Sequence, residues 1–299
     1  MNRSFVAALT GAAIALLVNP LAAKALVVRM PSLQEKVVQS DVIVVGKVQA
    51  LEEKPVEASP FPGSPQKTPY TIASIRITES LAGVKNVTNI RVGFIPQPKS
   101  EPATDPAVPI RPIRPRGGMA NPELKVGQEG CFFLQKHPDG DFLVLTPMAH
   151  PVDAKDENFK KQLELIQKSL KMLAEPVVAL QSKNADERLQ TASLLLQKYR
   201  QFRNTTGKAP VQAPIPAEQS RLILQAIAEA DWTRNDPENM MQSGQMLFNM
   251  LGVQAKDGWT PPKPQAGQNY QELYQKAAKS WLKENAARFR IQMWINESK

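Results

Sequence analysis

The sequence predicts an α+β protein of two domains, an N-terminal, small, closed five-stranded β-barrel followed by a C-terminal, all-α helical array. Three observations carry this. Short β-branched runs separated by proline-rich loops fill the chain up to residue 150, and apolar spacings of three and four replace them beyond it. Several strand candidates are apolar on both faces, as strands in a closed or covered sheet are. The 299 residues, 42% apolar and 22% charged, suffice for two cores of ordinary water-soluble composition.

Residues 1–25 read as an export signal. Arg3 supplies the positive start, Val6 to Val18 an apolar run without a charge, and Ala23-Lys24-Ala25 the small-x-small pattern of a cleavage site. Cleavage after Ala25 leaves residues 26–299. An uncleaved anchor is the alternative, but the run stops at Asn19-Pro20, short of the ~20 residues a span needs. The protein is therefore expected to be exported to the periplasm or beyond, with no transmembrane segment after processing.

The first domain, 26–150, opens with a short helix. Ser32 and Glu35 form a capping box, and Leu33, Val37 and Val38 give the apolar face. Strand candidates follow at Val42 to Val48, Tyr70 to Thr78, Ile90 to Phe94, Cys131 to Gln135 and Phe142 to Leu145. In the second of these, Tyr70 and Ile72 are out of phase with Ile75 and Ile77, which predicts a bulge or sharp bend near Ala73-Ser74. His137-Pro138-Asp139-Gly140 reads as a hairpin turn, with Asp-Gly supplying positive backbone angles. Five short strands with one bent member suit a closed barrel, which removes exposed edges. The proline-dense stretches 54–69 and 96–122 cannot join a ladder easily and are expected to be surface loops.

Three segments then carry a resemblance: Ser40 to Val48, Tyr70 to Gly83, and Val126 to Leu134. Together they resemble a pattern in secreted bacterial proteins of unassigned role, whose domain is similar to the OB-type barrel of netrin-like modules and tissue inhibitors of metalloproteinases. The likeness covers about residues 32–146 and implies a fold rather than an activity. In those inhibitors an N-terminal cysteine chelates the protease zinc; a chain starting at Leu26 has no cysteine there, so protease inhibition does not carry over.

The second domain, 151–299, is helical. Phe159, Leu163, Ile166, Leu170 and Leu173 form one stripe, and Pro176 ends that helix and starts the next. A turn at Asn184 leads into a helix whose Leu189, Ala192, Leu196 and Tyr199 share a side; this pairing is similar to a HEAT-type hairpin. Leu222, Ile223, Ala226 and Ile227 mark another helix, Asp236-Pro237 the start of a further one, and Tyr270, Leu273, Tyr274, Ala277 and Trp281 a long one. At 289–295 the period changes to two, so the tail is either an extended segment or a fraying helix.

Reactive groups are scarce. One cysteine and two histidines exclude a disulfide framework and multi-cysteine metal sites. Cys131 reads as a packed strand residue, His137 and His150 as structural or solvated, and the pairs Glu52-Glu53 and Asp156-Glu157 as chance neighbours. Gly-x-Ser-x-Gly and phosphate-loop patterns are absent. No catalytic residue, resident metal or cofactor is expected. Trp232, Trp259, Trp281 and Trp294 are read as helix-packing residues before a sugar-stacking surface.

A net charge of +9 favours anionic surfaces, and Arg111, Arg114 and Arg116 form its one local concentration, a candidate binding site. The expected function is therefore a non-catalytic binding or scaffold protein of the cell envelope. Its partner is an unknown protein or an anionic envelope component, and no specific nucleic acid. The alternatives are an exported hydrolase or carbohydrate-active enzyme with a site between the domains, and periplasmic copper handling through Met240, Met241, Met246 and Met250.

Overall fold

The computed structural model describes residues 30–96, 122–202, 207–233, 243–264 and 267–296. The leader, Arg111, Arg114, Arg116, Met240, Met241 and the Asp236-Pro237 helix start lie outside the described residues.

Helix α1 (Leu33–Gln39) begins at the expected capping box: Ser32 Oγ accepts from Glu35 N, and the Glu35 carboxylate accepts from Ser32 N. Strands β1 (Val42–Leu51), β2 (Val56–Ala58), β3 (Thr68–Ala82), β4 (Asn89–Phe94), β5 (Glu129–Lys136), β6 (Leu143–Leu145) and β7 (Val152–Asp153) follow. Five of them close a barrel in the order β1-β3-β4-β6-β5, with β5 pairing back onto β1. Every pairing in that ring is antiparallel except β4 with β6.

The strands that read as apolar on both faces have a distinct cover on each. Val42, Val44, Phe132 and Leu134 point inward and meet Ile75, Val92 and Phe94 in the barrel interior. Their neighbours Ile43, Cys131 and Phe133 point outward, into a cluster with Val37 of α1, Val152 of β7 and Ile166 of the helix that follows. Outward residues of a barrel strand need such a layer to be dry, and α1 with the helical half supplies it.

Two expectations are corrected. The phase change in β3 coincides with a bulge in the β1–β3 ladder, but the extra residue is not in β3, because β3 and β4 keep an unbroken register from Thr71↔Phe94 to Arg76↔Asn89. The extra residue at that level is Gln49 of β1, between Val48↔Ile75 and Ala50↔Ser74. What changes along β3 is the covered face: Tyr70 and Ile72 pack with Ala58 and Phe142 on one side, Ala73 and Ile75 fill the barrel on the other.

Segment 54–69 is not wholly a loop either. Its residues Val56–Ala58 form β2 and pair with the start of β3, Val56↔Tyr70 to Ala58↔Thr68. β2 fits between Pro55 and Pro60 and so contains no proline itself, and Pro69 of β3 stands opposite Glu57. The resulting arm is pinned where Ser59 N donates to Asp139 Oδ2 at 3.0 Å. Of the segment 96–122, only Pro96 and Pro122 are among the described residues.

The helical half contains α2 (Phe159–Ala174), α3 (Pro176–Leu180), α4 (Ala185–Arg200), α5 (Ala217–Glu229), α6 (Gly244–Leu251) and α7 (Tyr270–Asn285), with short strands β8 (Pro210–Pro214) and β9 (Gln292–Asn296). Pro176 is the first residue of α3, and the Asn184 side chain caps α4 by accepting from Asp186 N and Glu187 N. Leu196, Ile223, Ile227, Leu247, Phe248 and Leu282 sit in a core shared by α4, α5, α6 and α7. The stripe on α7 is rotated from the expected one: Ala278, Trp281, Leu282 and Asn285 are buried, whereas Leu273 and Ala277 are only half-buried.

The tail is extended. β9 pairs antiparallel with β8, from Pro210↔Asn296 to Pro214↔Gln292, and Ser220 of α5 ties it down by accepting from Ile291 N at 3.0 Å. β8 escapes sequence reading because prolines bound it at both ends. Among the described residues, no helix is long and apolar enough to cross a membrane.

Candidate functional site

The turn from β5 into β6 is held by an imidazole rather than by left-handed backbone. Neither Asp139 nor Gly140 takes a positive φ, contrary to the expected Asp-Gly geometry. Instead His137 Nδ1 accepts from Asp139 N at 3.2 Å and from Gly140 N at 2.8 Å. Accepting at Nδ1 places the ring hydrogen on Nε2. The ring stacks at a tilt on Phe142, with centroids 4.5 Å apart, and meets Tyr70 edge-on at 4.9 Å. His137 is 7% exposed, and its Nε2 is buried with no hydrogen-bond partner among the described residues.

A glycine makes room for this stack. A Cβ on Gly93 would come within 2.5 Å of the Phe142 ring, far inside van der Waals contact. The same β4 continues into Phe94 and Ile95, which face the turn across a pocket of about 310 Å³. Pro60, Phe61 and Pro62 of the β2–β3 arm form one wall, and His137, Pro138 and Pro147 another. Phe61 is 61% exposed, an unusual position for a large ring. Lys136 and Gln135 also line it, the latter donating its amide to Gln39 O at 2.8 Å. The volume lies at the small end of the roughly 300–1,000 Å³ typical of small-molecule sites.

Electrostatics keep the imidazole neutral. Burial lowers the His137 pKa below its ordinary value, opposed only by the nearby Asp139. Hydrogen bonding from Ser59 holds the Asp139 carboxyl below the usual carboxylate range, so the arm is anchored by an ionised group. Because the folded His137 binds a proton less readily than the unfolded one, stability is complete above about pH 6.5 and is lost as pH falls through and below that value. The urea midpoint is therefore expected to be lower at pH 5.5 than at pH 7.5. In His137→Asn, whose amide does not titrate, the drop between these two pH values should shrink. An equal drop in both proteins would contradict this assignment.

The other sequence candidates are placed as follows. Cys131 is wholly buried in β5, and burial pushes its thiol up to about 12, so it is protonated and unreactive at neutral pH. His150 is exposed, and its backbone carbonyl accepts from Lys36 Nζ. Glu52 forms a two-pronged pair with Arg91 at 2.8 and 2.9 Å, and Asp156 accepts from Asn158 N and Gln162 Nε2 at the start of α2. Both carboxylates thus have structural partners. Met246 and Met250 of α6 are half-buried, and Met250 packs against the helical core.

Trp232, Trp259 and Trp281 converge on Phe248, with centroids 6.0, 4.8 and 5.8 Å from it. The indole nitrogens of Trp232 and Trp281 donate to Ile227 O and Asp257 O. That is packing between helices, with each buried indole N–H satisfied. Among the described residues, no group of three or more histidine, cysteine or carboxylate side chains is placed to hold a metal ion.

No family model matches the chain, and no curated protein matches it. The pocket residues therefore stand on their geometry alone. Sequence reading missed them because Phe61, Tyr70, Phe94 and His137 lie on four separate segments. The one local signal was aromatic side chains set among prolines, at Pro60-Phe61-Pro62 and His137-Pro138.

Proposed function

We propose that this chain is an exported, non-catalytic binding protein of the cell envelope, and that it binds through the pocket at the β5–β6 turn. The observation that carries the reading is the pocket's construction. Its walls are prolines and aromatic rings held by a closed barrel and an anchored arm, so little conformational entropy remains to be lost on binding. One antiparallel ring interrupted by a single parallel pair supports reading the barrel as OB-type, akin to the netrin-like modules. The α3–α4 pair with Asn184 between its helices supports a HEAT-like origin for the helical half.

Native mass spectrometry of the protein purified from the envelope fraction of its own cell tests this. The expected spectrum has a polypeptide mass starting at Leu26, together with an adduct that is retained in the wild-type chain and lost in Phe61→Ala. A mass that still includes residues 1–25 would overturn the export assignment. An adduct that survives Phe61→Ala would overturn the pocket as the binding site, as would none in the wild type.

A further inference from the structure

We infer that the β5–β6 turn is an acid-sensitive latch: a proton on His137 Nδ1 releases the β2–β3 arm from the barrel, while the barrel itself stays closed. The release depends on the turn and the arm alone, not on what the pocket binds.

The latch has two halves. In one, His137 Nδ1 accepts from Asp139 N and Gly140 N, which only an unprotonated nitrogen does. In the other, the Asp139 carboxylate accepts from Ser59 N, so the residue whose amide the imidazole fixes also holds the arm. A proton on Nδ1 turns that acceptor into a donor facing two donors. The backbone at Asp139 and Gly140 must then move, and the Asp139 carboxylate moves with it. The charged ring cannot stay in place, because it is buried against Phe142 and Tyr70 and its Nε2 has no acceptor among the described residues.

The surroundings leave His137 as the group of the latch that titrates in weak acid. Tyr70 of β3 meets the ring edge-on, and burial raises the pKa of that phenol, so it stays neutral. Asp139 favours the imidazolium, but burial outweighs it. The Ser59 bonds, with Lys67 just before β3, keep Asp139 ionised. Lys136 of β5, Asp141 of the turn and Arg91 of β4 do not act on His137, and Arg91 is paired with Glu52. The arm is also the part that a local event can free. β2 holds to β3 by three residue pairs, and its buried Ala58 packs with Tyr70, Ile72 and Phe142, a cluster separate from the barrel interior. Release takes Pro60, Phe61 and Pro62, one wall of the pocket, away from His137 and Pro138.

The test is a titration of the full, nitrogen-labelled chain by NMR from pH 7.5 to pH 5.0, reading histidine rings and backbone amide exchange together. With the pH dependence of the exchange chemistry removed, protection of β2 and of the Ser59, Asp139 and Gly140 amides is expected to fall severalfold. The ceiling at pH 5.5 is about tenfold, the factor by which an exposed imidazole of pKa about 6.5 draws the equilibrium open there. The fall should follow the His137 titration, reverse on neutralisation and leave the amides of β1 and β5 protected. It should persist in His150→Gln and vanish in His137→Asn, whose amide oxygen accepts the same two N–H groups without titrating. The latch is overturned by an arm that stays protected while His137 titrates, by a fall displaced from that titration, or by an equal fall across the barrel. All three are read in the wild-type chain, so they decide even where His137→Asn does not fold; a fall that survives in a folded His137→Asn overturns it as well.

Discussion

Truncating Phe133 to alanine is expected to destabilise the protein by about 3–5 kcal/mol, the range for removing a wholly buried aromatic side chain. Phe133 lies on the outward face of β5, opposite Ile43 of β1, in a cluster with α1, β7 and α2. Lys36 of α1 places its ammonium 5.6 Å from the ring centre. The cavity would therefore open between the barrel and its helical cover. A convenient probe exists, because all four tryptophans, Trp232, Trp259, Trp281 and Trp294, lie in the helical half. Urea unfolding followed by tryptophan emission should shift with the far-ultraviolet circular dichroism signal, although the substitution is in a barrel strand. A tryptophan transition that stays at the wild-type midpoint would show that the two halves do not unfold together.

A loss of similar size, about 3–5 kcal/mol, is expected for Phe248→Ala in α6. Phe248 is almost fully buried and stands edge-on to Trp259, Tyr274 and Trp281. Each such ring pair contributes about 0.5–1.5 kcal/mol beyond area burial. Neighbouring packing cannot close the gap cheaply: Trp232 already presses on Gly244, where a Cβ would meet its Nε1 at 2.1 Å. Phe248→Leu retains most of the volume but loses all three ring pairs, so it should still cost at least about 1.5 kcal/mol. Denaturant midpoints of the two variants measure both values, and a leucine variant as stable as the wild type would contradict the edge-on account.

Local signals in this chain were legible where a single segment sufficed. The Ser32-Glu35 box starts α1, Asn184 caps α4, Pro176 opens α3, and the stripe from Phe159 to Leu173 turns toward the barrel. Each depends on contacts within a few residues or on one face of one helix. Failures occurred where two distant segments had to be seen together. The change of covered face in β3 looked like a bulge of that strand because the second cover, Ala58 and Phe142, comes from 12 residues before and 72 after Tyr70. β2 and β8 were hidden by their prolines, since a three- or five-residue ladder leaves no periodicity to count. The turn at Asp139-Gly140 is held through His137, so the dipeptide's usual backbone preference was not needed.

By itself the sequence determined composition, the scarcity of reactive groups, strand and helix character on either side of residue 150, and most helix starts, because these are sums over neighbours along the chain. Only the tertiary structure decided that β5 returns to β1 and closes the barrel, that α1 and α2 dry its outer face, and that Phe61, Tyr70, Phe94 and His137 meet around one pocket. The physical reason is range. Periodicity and capping act over one or two turns of chain, whereas closure and pocket formation depend on burial between segments tens of residues apart, which no local pattern encodes.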